Sequence, residues 1–573
     1  MKFKRFTCGT FGLLAVGSMV WGCSDQSNDC KANANCGSFV PSAGSAGTLA
    51  GAGGNGGSNG GSGGNGGSSN GGDGTSGIGG AGMAGSAGSV EPGCDGTVSP
   101  DTDKCVIDDQ FGIFVSQTGD DKAGDGSMLK PLAKISTALA AAVNQKINRV
   151  YVCASLTPYS EATLDIPDGV SVFGGFTCDK PQWAYDPSQK SIFDASSAVG
   201  ATIDAAVTGV TLQDLRIQAA DAVSSPNMPG SSSFGMVITN SKNILLKRVE
   251  VDAGKGSKGA DGANGVKGAD GADAKSPQNG ATGTCDGTPK IPRGSWPTQS
   301  ACGVLGGDGG DGKIGSSPDG QENGGGGTPK TNVVPPVPQS GGKAATTFGK
   351  NNAGEDGPHG AGGIDGSNGG VAPKIGAFKV DGYSPADGSD GMPGFPGQGG
   401  GGGGASFGSD TCVGSSGGAG GMGGCGGGQG TKGLGGGAST GILSWNSAVV
   451  LDACKIVAAA GGAGGVGGNA ALGGVGKMGG AGGLVNSGLN IGPGGAGGFG
   501  GLGGNGGSGS GGTGGPSYAV VFAGTQPTTD ASSELKVTDG GAAGSGGHLQ
   551  GFPAIVAPSG FKGDSAATFK AGN

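Results

Sequence analysis

Across residues 461–515 every third residue is glycine at 16 of 19 sites, the exceptions being Ala470, Val485 and Ile491. The same period runs through 256–271, 303–315, 354–369 and 388–400. A three-residue period is that of an extended left-handed helix with three residues per turn, in which one column carries no side chain. Neighbouring backbones could then approach closely and exchange hydrogen bonds, with Val466, Leu472, Phe499 and Leu502 giving modest apolar anchorage. Collagen shares the period but depends on abundant proline, and 29 prolines in 573 residues is ordinary usage. The competing expectation is disorder, because ordering glycine costs more backbone entropy than ordering any other residue.

Between the tracts the chain repeats a different pattern. Val210, Leu212, Leu215 and Ile217 align with Ile244, Leu246, Val249 and Val251 at an offset of 34, then with Leu451, Ala453, Ile456 and Ala458 at a further 207. The stretch 235–241 matches 441–447, and Tyr518 to Phe522 followed by Leu535 and Val537 form a weaker copy. Each copy runs into glycine, at Gly254, Gly461 and Gly540, so the tracts are expected to leave at one corner and emerge on a common face. Short strands with alternating apolar residues and no helix between them suit stacked coils, with a β-sandwich as the alternative.

Residues 112–178 read as a strand at 112–116, a Gly119-Asp120-Asp121 turn, a helix from Pro131 to about Val143, and strands at 150–152 and 170–176. This order, with Lys130-Pro131 before the helix and Val150-Tyr151-Val152 after it, resembles the N-terminal cap of the pectin-lyase-like superfamily. The resemblance implies a mainly-β, right-handed parallel β-helix (solenoid) with a short N-terminal capping helix and long glycine-rich loops. The tracts themselves are candidates for polyglycine-type helices.

At the N-terminus Lys2, Lys4 and Arg5 precede an apolar run from Phe11 to Trp21, too short to span a bilayer and followed by Gly22-Cys23. Val20-Trp21-Gly22-Cys23 resembles the lipobox of bacterial lipoproteins. That resemblance implies cleavage before Cys23, lipidation of Cys23 and anchoring to the cell envelope, at the outer membrane or cell surface; a plain secretory signal is the alternative. Residues 1–22 would be the signal peptide and 23–91 a Gly/Ser-rich flexible tether. The remaining expected divisions are 92–253 (cap and first coils), 254–440 (glycine-rich insertion), 441–460 (a coil), 461–516 (Gly-Gly-X tract) and 517–573 (terminal coil and tail). The Gly-Gly-X tracts are similar to the repeat region of PE-PGRS proteins and to the glycine-rich lipoproteins of delta-class bacteria.

Thirteen cysteines fit an oxidising compartment. Beyond Cys8 and Cys23, the pairs expected from sequence proximity are Cys30 with Cys36, Cys94 with Cys105, Cys153 with Cys178, Cys285 with Cys302, and Cys412 with Cys425. Cys454 is expected as a buried free thiol. With no CxxC and only His359 and His548 as histidines, neither a metal site nor a cofactor is expected. Gly306-Gly307-Asp308-Gly309-Gly310-Asp311 matches the opening of a calcium-binding nonapeptide, but Lys313 occupies the apolar anchor position.

A formal charge of −9 makes the chain a poor partner for nucleic acid. A membrane, through the N-terminal lipid, and extracellular polysaccharide or matrix are the expected partners. The chain reads as a non-enzymatic surface lipoprotein with a structural, adhesive or envelope role. One alternative is a β-helix polysaccharide lyase or hydrolase, with Asp214, Arg216, Lys247, Arg248 and Glu250 converging on an outward face. The other is a calcium-stabilised adhesin.

Overall fold

The structure is a computed structural model that describes residues 94–178, 182–315, 321–334 and 340–572. The expected signal peptide and tether, with Cys23, Cys30 and Cys36, lie outside the described residues.

Twenty short strands assemble into three mainly parallel sheets. In spatial order, the first contains Ile113–Val115, Arg149–Cys153, Ser171–Thr177, Val210–Gln213, Ile244–Lys247, Val449–Asp452 and Thr528–Thr529. Ala184–Tyr185 adds to it, antiparallel to Ser171–Thr177. The second contains Tyr159–Glu161, Ser191–Ala195, Leu215–Gln218, Glu250–Asp252, Lys455–Ala458 and Glu534–Val537. The third runs through Leu164–Asp165, Val199–Asp204, Ser233–Thr239, Ser439–Trp445, Ser517–Ala523 and Ser565–Lys570. Apolar residues alternate inward along these strands. Leu212, Leu246 and Leu451 stack in one file of the core, and Ile217, Val251 and Ile456 in another, all essentially without solvent contact.

The one α-helix among the described residues, α1 (Ile135–Gln145), buries Ile135, Ala138, Leu139 and Ala142 in the same core. It starts later than Pro131, because Leu132 bridges Val115 as a strand residue does. Its first free N–H groups, Ile135 and Ser136, donate to the carboxylate of Glu161 at 2.8 and 3.2 Å, which satisfies donors that no helical carbonyl can reach. Val143, one helical turn beyond buried Leu139, is 51% exposed.

The register corrects the repeat alignment. Ile244 lies beside Val449 and Leu246 beside Leu451, an offset of 205 rather than 207. A slip of two residues keeps every side chain on its own face, so hydrophobic alternation alone cannot detect it. Cys454, not Ile456, therefore takes the place of Val249 in the core.

Apart from one 3₁₀ turn at Ser487–Leu489 and short paired strands such as Gly312–Lys313 and Gly362–Gly363, the glycine tracts lie outside the α-helix and the three large sheets and hydrogen-bond to one another. The segment 494–515 shows the rule. N–H groups at Gly494, Gly497 and every third residue to Gly515 donate to carbonyls from Gly483 back to Gly462. Those from Gly495 to Thr513 donate to carbonyls from Gly404 back to Ala386, and those of Gly511 and Gly514 to Pro558 and Phe561. The carbonyls of the three columns accept from 418–436, 354–369 and 541–547. A backbone of period three aims three N–H and three C=O groups per turn in six directions, and over 494–515 each direction meets a neighbouring backbone along at least part of the segment.

This corrects the expectation of a right-handed parallel β-helix carrying glycine-rich loops. The strands establish a mainly-β molecule with several parallel sheets and little helix. Instead of hanging from a solenoid, the glycine segments form a hydrogen-bonded body of their own. That body requires glycine: a Cβ at Gly498 would lie 2.1 Å from the Pro358 carbonyl oxygen, and one at Gly507 1.8 Å from that of Ser367.

Four disulfides join Cys94 to Cys105, Cys153 to Cys178, Cys285 to Cys412, and Cys302 to Cys425. The last two correct the expected Cys285–Cys302 and Cys412–Cys425 pairs. The reason is the register of the array: Ser416 N–H donates to Ala281 and Val413 N–H to Thr284, while Gly420 N–H donates to Gly307. Segments distant in sequence are thereby placed side by side, and the cysteines pair across them. Cys454 is free and buried, and burial pushes its thiol up to about 11.

Candidate functional site

Three surfaces could carry chemistry. The first holds the five charged residues expected to line a groove, which divide into two ion-paired groups. Asp214 and Arg248 occupy equivalent positions between parallel-paired strands, both left-handed (φ 52°). That stacking lets Arg248 Nε and Nη2 donate to the Asp214 carboxylate at 2.7 and 2.9 Å. Tyr185 donates to the same carboxylate, and Gln213 Nε2 donates to the Tyr185 hydroxyl oxygen at 2.8 Å. Asp101 accepts from Lys247 at 2.7 Å and from Arg248 at 3.2 Å. Lys190 donates to the Arg248 carbonyl.

Burial alone would raise the Asp101 carboxyl. The hydrogen bonds from Lys247, Ser99 and Arg248 outweigh it and hold the group well below the usual carboxylate range. Burial, then the neighbouring Asp214 carboxylate, raises the Tyr185 hydroxyl.

The second group sits on the next sheet, where Arg216 pairs with Asp252 at 2.8 Å and Lys455 with Glu250. Asp214 has no solvent contact, and each of the five is engaged by an oppositely charged neighbour. A hydrolase or lyase would need such groups open to substrate.

Asp308 and Asp311 of the calcium-like motif are likewise engaged. Arg293 pairs with Asp308 at 3.2 Å, and Lys290 with Asp311. Among the described residues no cluster of three or more His, Cys, Asp or Glu could hold a metal.

The second surface is the exposed side of the glycine array. There, N–H groups without a neighbouring backbone are met by side chains. Asp261, Asn264, Asp270 and Asn279 accept from the N–H groups of Val466, Asn469, Val475 and Ala481 at 2.8–2.9 Å. Asp356, His359, Asp365 and Asn368 do the same for Ala496, Phe499, Asn505 and Ser508 at 2.6–2.9 Å. The acidic and amide residues of the Gly-X-Asp and Gly-X-Asn triplets are thus caps for an extended backbone, analogous to helix N-caps. Between them Phe499, Leu502, Val475, Met478 and Leu484 stand out toward solvent.

The third is a pocket of about 270 Å³ between the loop after Cys94 and the first sheet, lined among others by Thr97, Ser99, Asn148, Arg149, Phe173 and Gln213. Arg149 is 4% exposed. One arm of its guanidinium donates to the Gly96 carbonyl, and the group lies 5.6 Å over the Phe173 ring. Its Nη1 and the Oε1 of fully buried Gln213 have no hydrogen-bond partner. The sequence reading overlooked both residues. The only signal was an arginine opening the apolar strand Arg149–Cys153, which reads equally well as a solvated strand end.

No protein-family model, curated protein or solved structure matches this chain. Disulfides in the described residues accord with an oxidising, exported environment. No helix among those residues is long and apolar enough to cross a membrane.

Proposed function

We propose that this chain is an exported, non-enzymatic surface protein with a structural or adhesive role, held to the envelope by lipid on Cys23. The observation that carries the reading is the six-neighbour glycine array. It spends its backbone polar groups on internal hydrogen bonds, displays columns of side chains at fixed spacing, and is cross-linked by disulfides. Such a body suits a rigid spacer or a flat contact surface for polysaccharide or matrix. The charged residues that a polysaccharide-cleaving alternative would use are ion-paired, which favours binding over turnover.

Expression with labelled palmitate, cell fractionation and surface proteolysis test the anchor. The wild-type chain should label, sediment with membranes and be cleaved on intact cells, whereas Cys23→Ser should do none of these. Incubation with envelope polysaccharide should give retention without release of reducing ends or unsaturated products. Steady product release would overturn the non-enzymatic reading, and recovery of unlabelled wild-type chain in the cytosol would overturn the anchor.

A further inference from the structure

The three sheets begin on the strands Ile113–Val115, Tyr159–Glu161 and Leu164–Asp165 and end on Thr528–Thr529, Glu534–Val537 and Ser565–Lys570. α1 serves the first set of edges: its apolar face enters the core, and Glu161, on an edge strand, accepts from its first N–H groups. The last set has no such cover. Among the described residues no strand pairs with the outer side of Glu534–Val537. Its Leu535 and Val537 pack on the core yet stay only half-buried, as do Ala566 and Phe569 of Ser565–Lys570. An edge with unpaired backbone groups beside an open core is a template for another strand.

Backbone alternation fixes which groups are free. The Glu534 and Thr538 N–H groups donate to the Cys454 and Ala458 carbonyls at 2.8 and 3.2 Å, so Leu535 and Val537 direct their N–H and C=O groups away from the sheet. Glu534 and Lys536 lie on the solvent face, both more than half exposed, with Nζ of Lys536 2.6 Å from the Glu534 carboxylate. A strand reading Glu-Leu-Lys is complementary to itself when turned antiparallel about Leu535. The Leu535 N–H and C=O then exchange hydrogen bonds with those of the second copy. Each Glu534 faces the Lys536 of the other copy in a non-hydrogen-bonded pair, where side chains are closest. Moving the axis by one residue would set Lys536 against itself.

We propose that Glu534–Val537 is a dimerisation edge, occupied by the same strand of a second copy of this chain in antiparallel register about a two-fold axis at Leu535. The two six-stranded sheets then join into one, and the half-buried Leu535 is covered by its counterpart on the core side. An isologous contact of this kind closes after two copies, because each edge consumes the other. It requires neither the lipid anchor nor a polysaccharide and so stands apart from the role proposed above.

Sedimentation velocity of the disulfide-intact full chain, from micromolar to millimolar protein, is expected to show a reversible monomer–dimer equilibrium with no larger species. Lys536→Glu sets a carboxylate against Glu534 at two symmetric places and is expected to weaken the dimer about tenfold. Combining it with Glu534→Lys restores opposite charges across the axis and is expected to return the dissociation constant to within about threefold of wild type. Both side chains are exposed, and near-ultraviolet circular dichroism verifies that the variants are folded. A monomer at every concentration overturns the assignment, and slow exchange of the Leu535 and Val537 amides in that monomer would give the edge to a segment of the same chain. Open-ended association, a dimer indifferent to Lys536→Glu, or one that the double exchange fails to restore overturns it equally.

Discussion

A Cβ added at Gly507 would meet the Ser367 carbonyl oxygen at 1.8 Å, whereas one added at Gly370 would meet nothing within 4 Å. Gly507 lies in a Gly-Gly-X triplet of the 461–515 tract, whereas Gly370 follows the last glycine of the 354–369 period, and the two differ in what they face. The atom opposing Gly507 is backbone, fixed by hydrogen bonds on both sides, so it cannot swing away as a side chain could. Gly507→Ala should cost about 3 kcal/mol, the upper part of the usual overpacking range. Gly370→Ala should be neutral or stabilise by up to about 0.5 kcal/mol through the unfolded chain. Chemical denaturation of the two variants separates them, and equal effects would mean that the tracts are not packed backbone to backbone. At Cys454, where burial pushes the thiol up to about 11, alkylation at pH 8 should be negligible in the native protein and complete in denaturant, as read by mass spectrometry. Appreciable native labelling would place that side chain outside the core.

At the scale of one tract, the side-chain caps decide whether an edge segment holds. Asn264 accepts from Asn469 N–H at 2.8 Å. Asn264→Ala should cost about 1 kcal/mol, the usual value of a lost N-cap, and should raise exchange of the Asn469 amide first. The Asp caps add a pH dependence. Backbone donation by Val475, then Lys267, lowers the Asp270 carboxyl. At Asp261 burial opposes the shift, but Lys258 and Val466 N–H outweigh it. A carboxylate whose folded pKa lies below its unfolded value contributes stability that is fully present above about pH 4 and lost as the pH falls through the folded pKa. The edge of the array should therefore exchange faster as pH drops below about 4, after correction for intrinsic rates, and unchanged protection would count against the carboxylate caps. The period-three glycine showed directly in the sequence because its cause, close backbone approach, acts at every third residue. Many strands of the three sheets were legible through alternation, as at Val210, Leu212 and Ile244, whereas Ser191–Ala195, Val199–Asp204 and Ser565–Lys570 were not read from the sequence. The two-residue slip at Val449 was not legible, since alternation is blind to even offsets. Arg149 and Gln213 were hidden because their significance lies in partners they lack, which only tertiary placement reveals.

For the whole molecule, the central issue is whether the array is a cooperative unit. Its cross-links answer to its register: Cys285–Cys412 and Cys302–Cys425 close loops spanning 127 and 123 residues. Cysteines near in sequence would have closed far shorter ones. By the chain-entropy account each long loop constrains the unfolded chain by about 4–5 kcal/mol. The two loops overlap, so their joint effect should be smaller than their sum. Non-reducing peptide mapping should recover the long-range pairs, and reduction should lower the midpoint of denaturation in a single shifted transition. A separate early transition on reduction would mean that the array unfolds apart from the sheets. The hydrogen bonds argue for one transition. Gly461 N–H donates to Asp539, just beyond the strand Glu534–Val537, and Ser439 N–H to Pro516, at the junction of tract and strand. Amides of 461–515 should then exchange as slowly as those of Leu212 and Leu246, through global opening rather than local fraying. Exchange of the tract within seconds beside protected sheets would refute the cooperative array and, with it, the rigid-spacer reading of the protein.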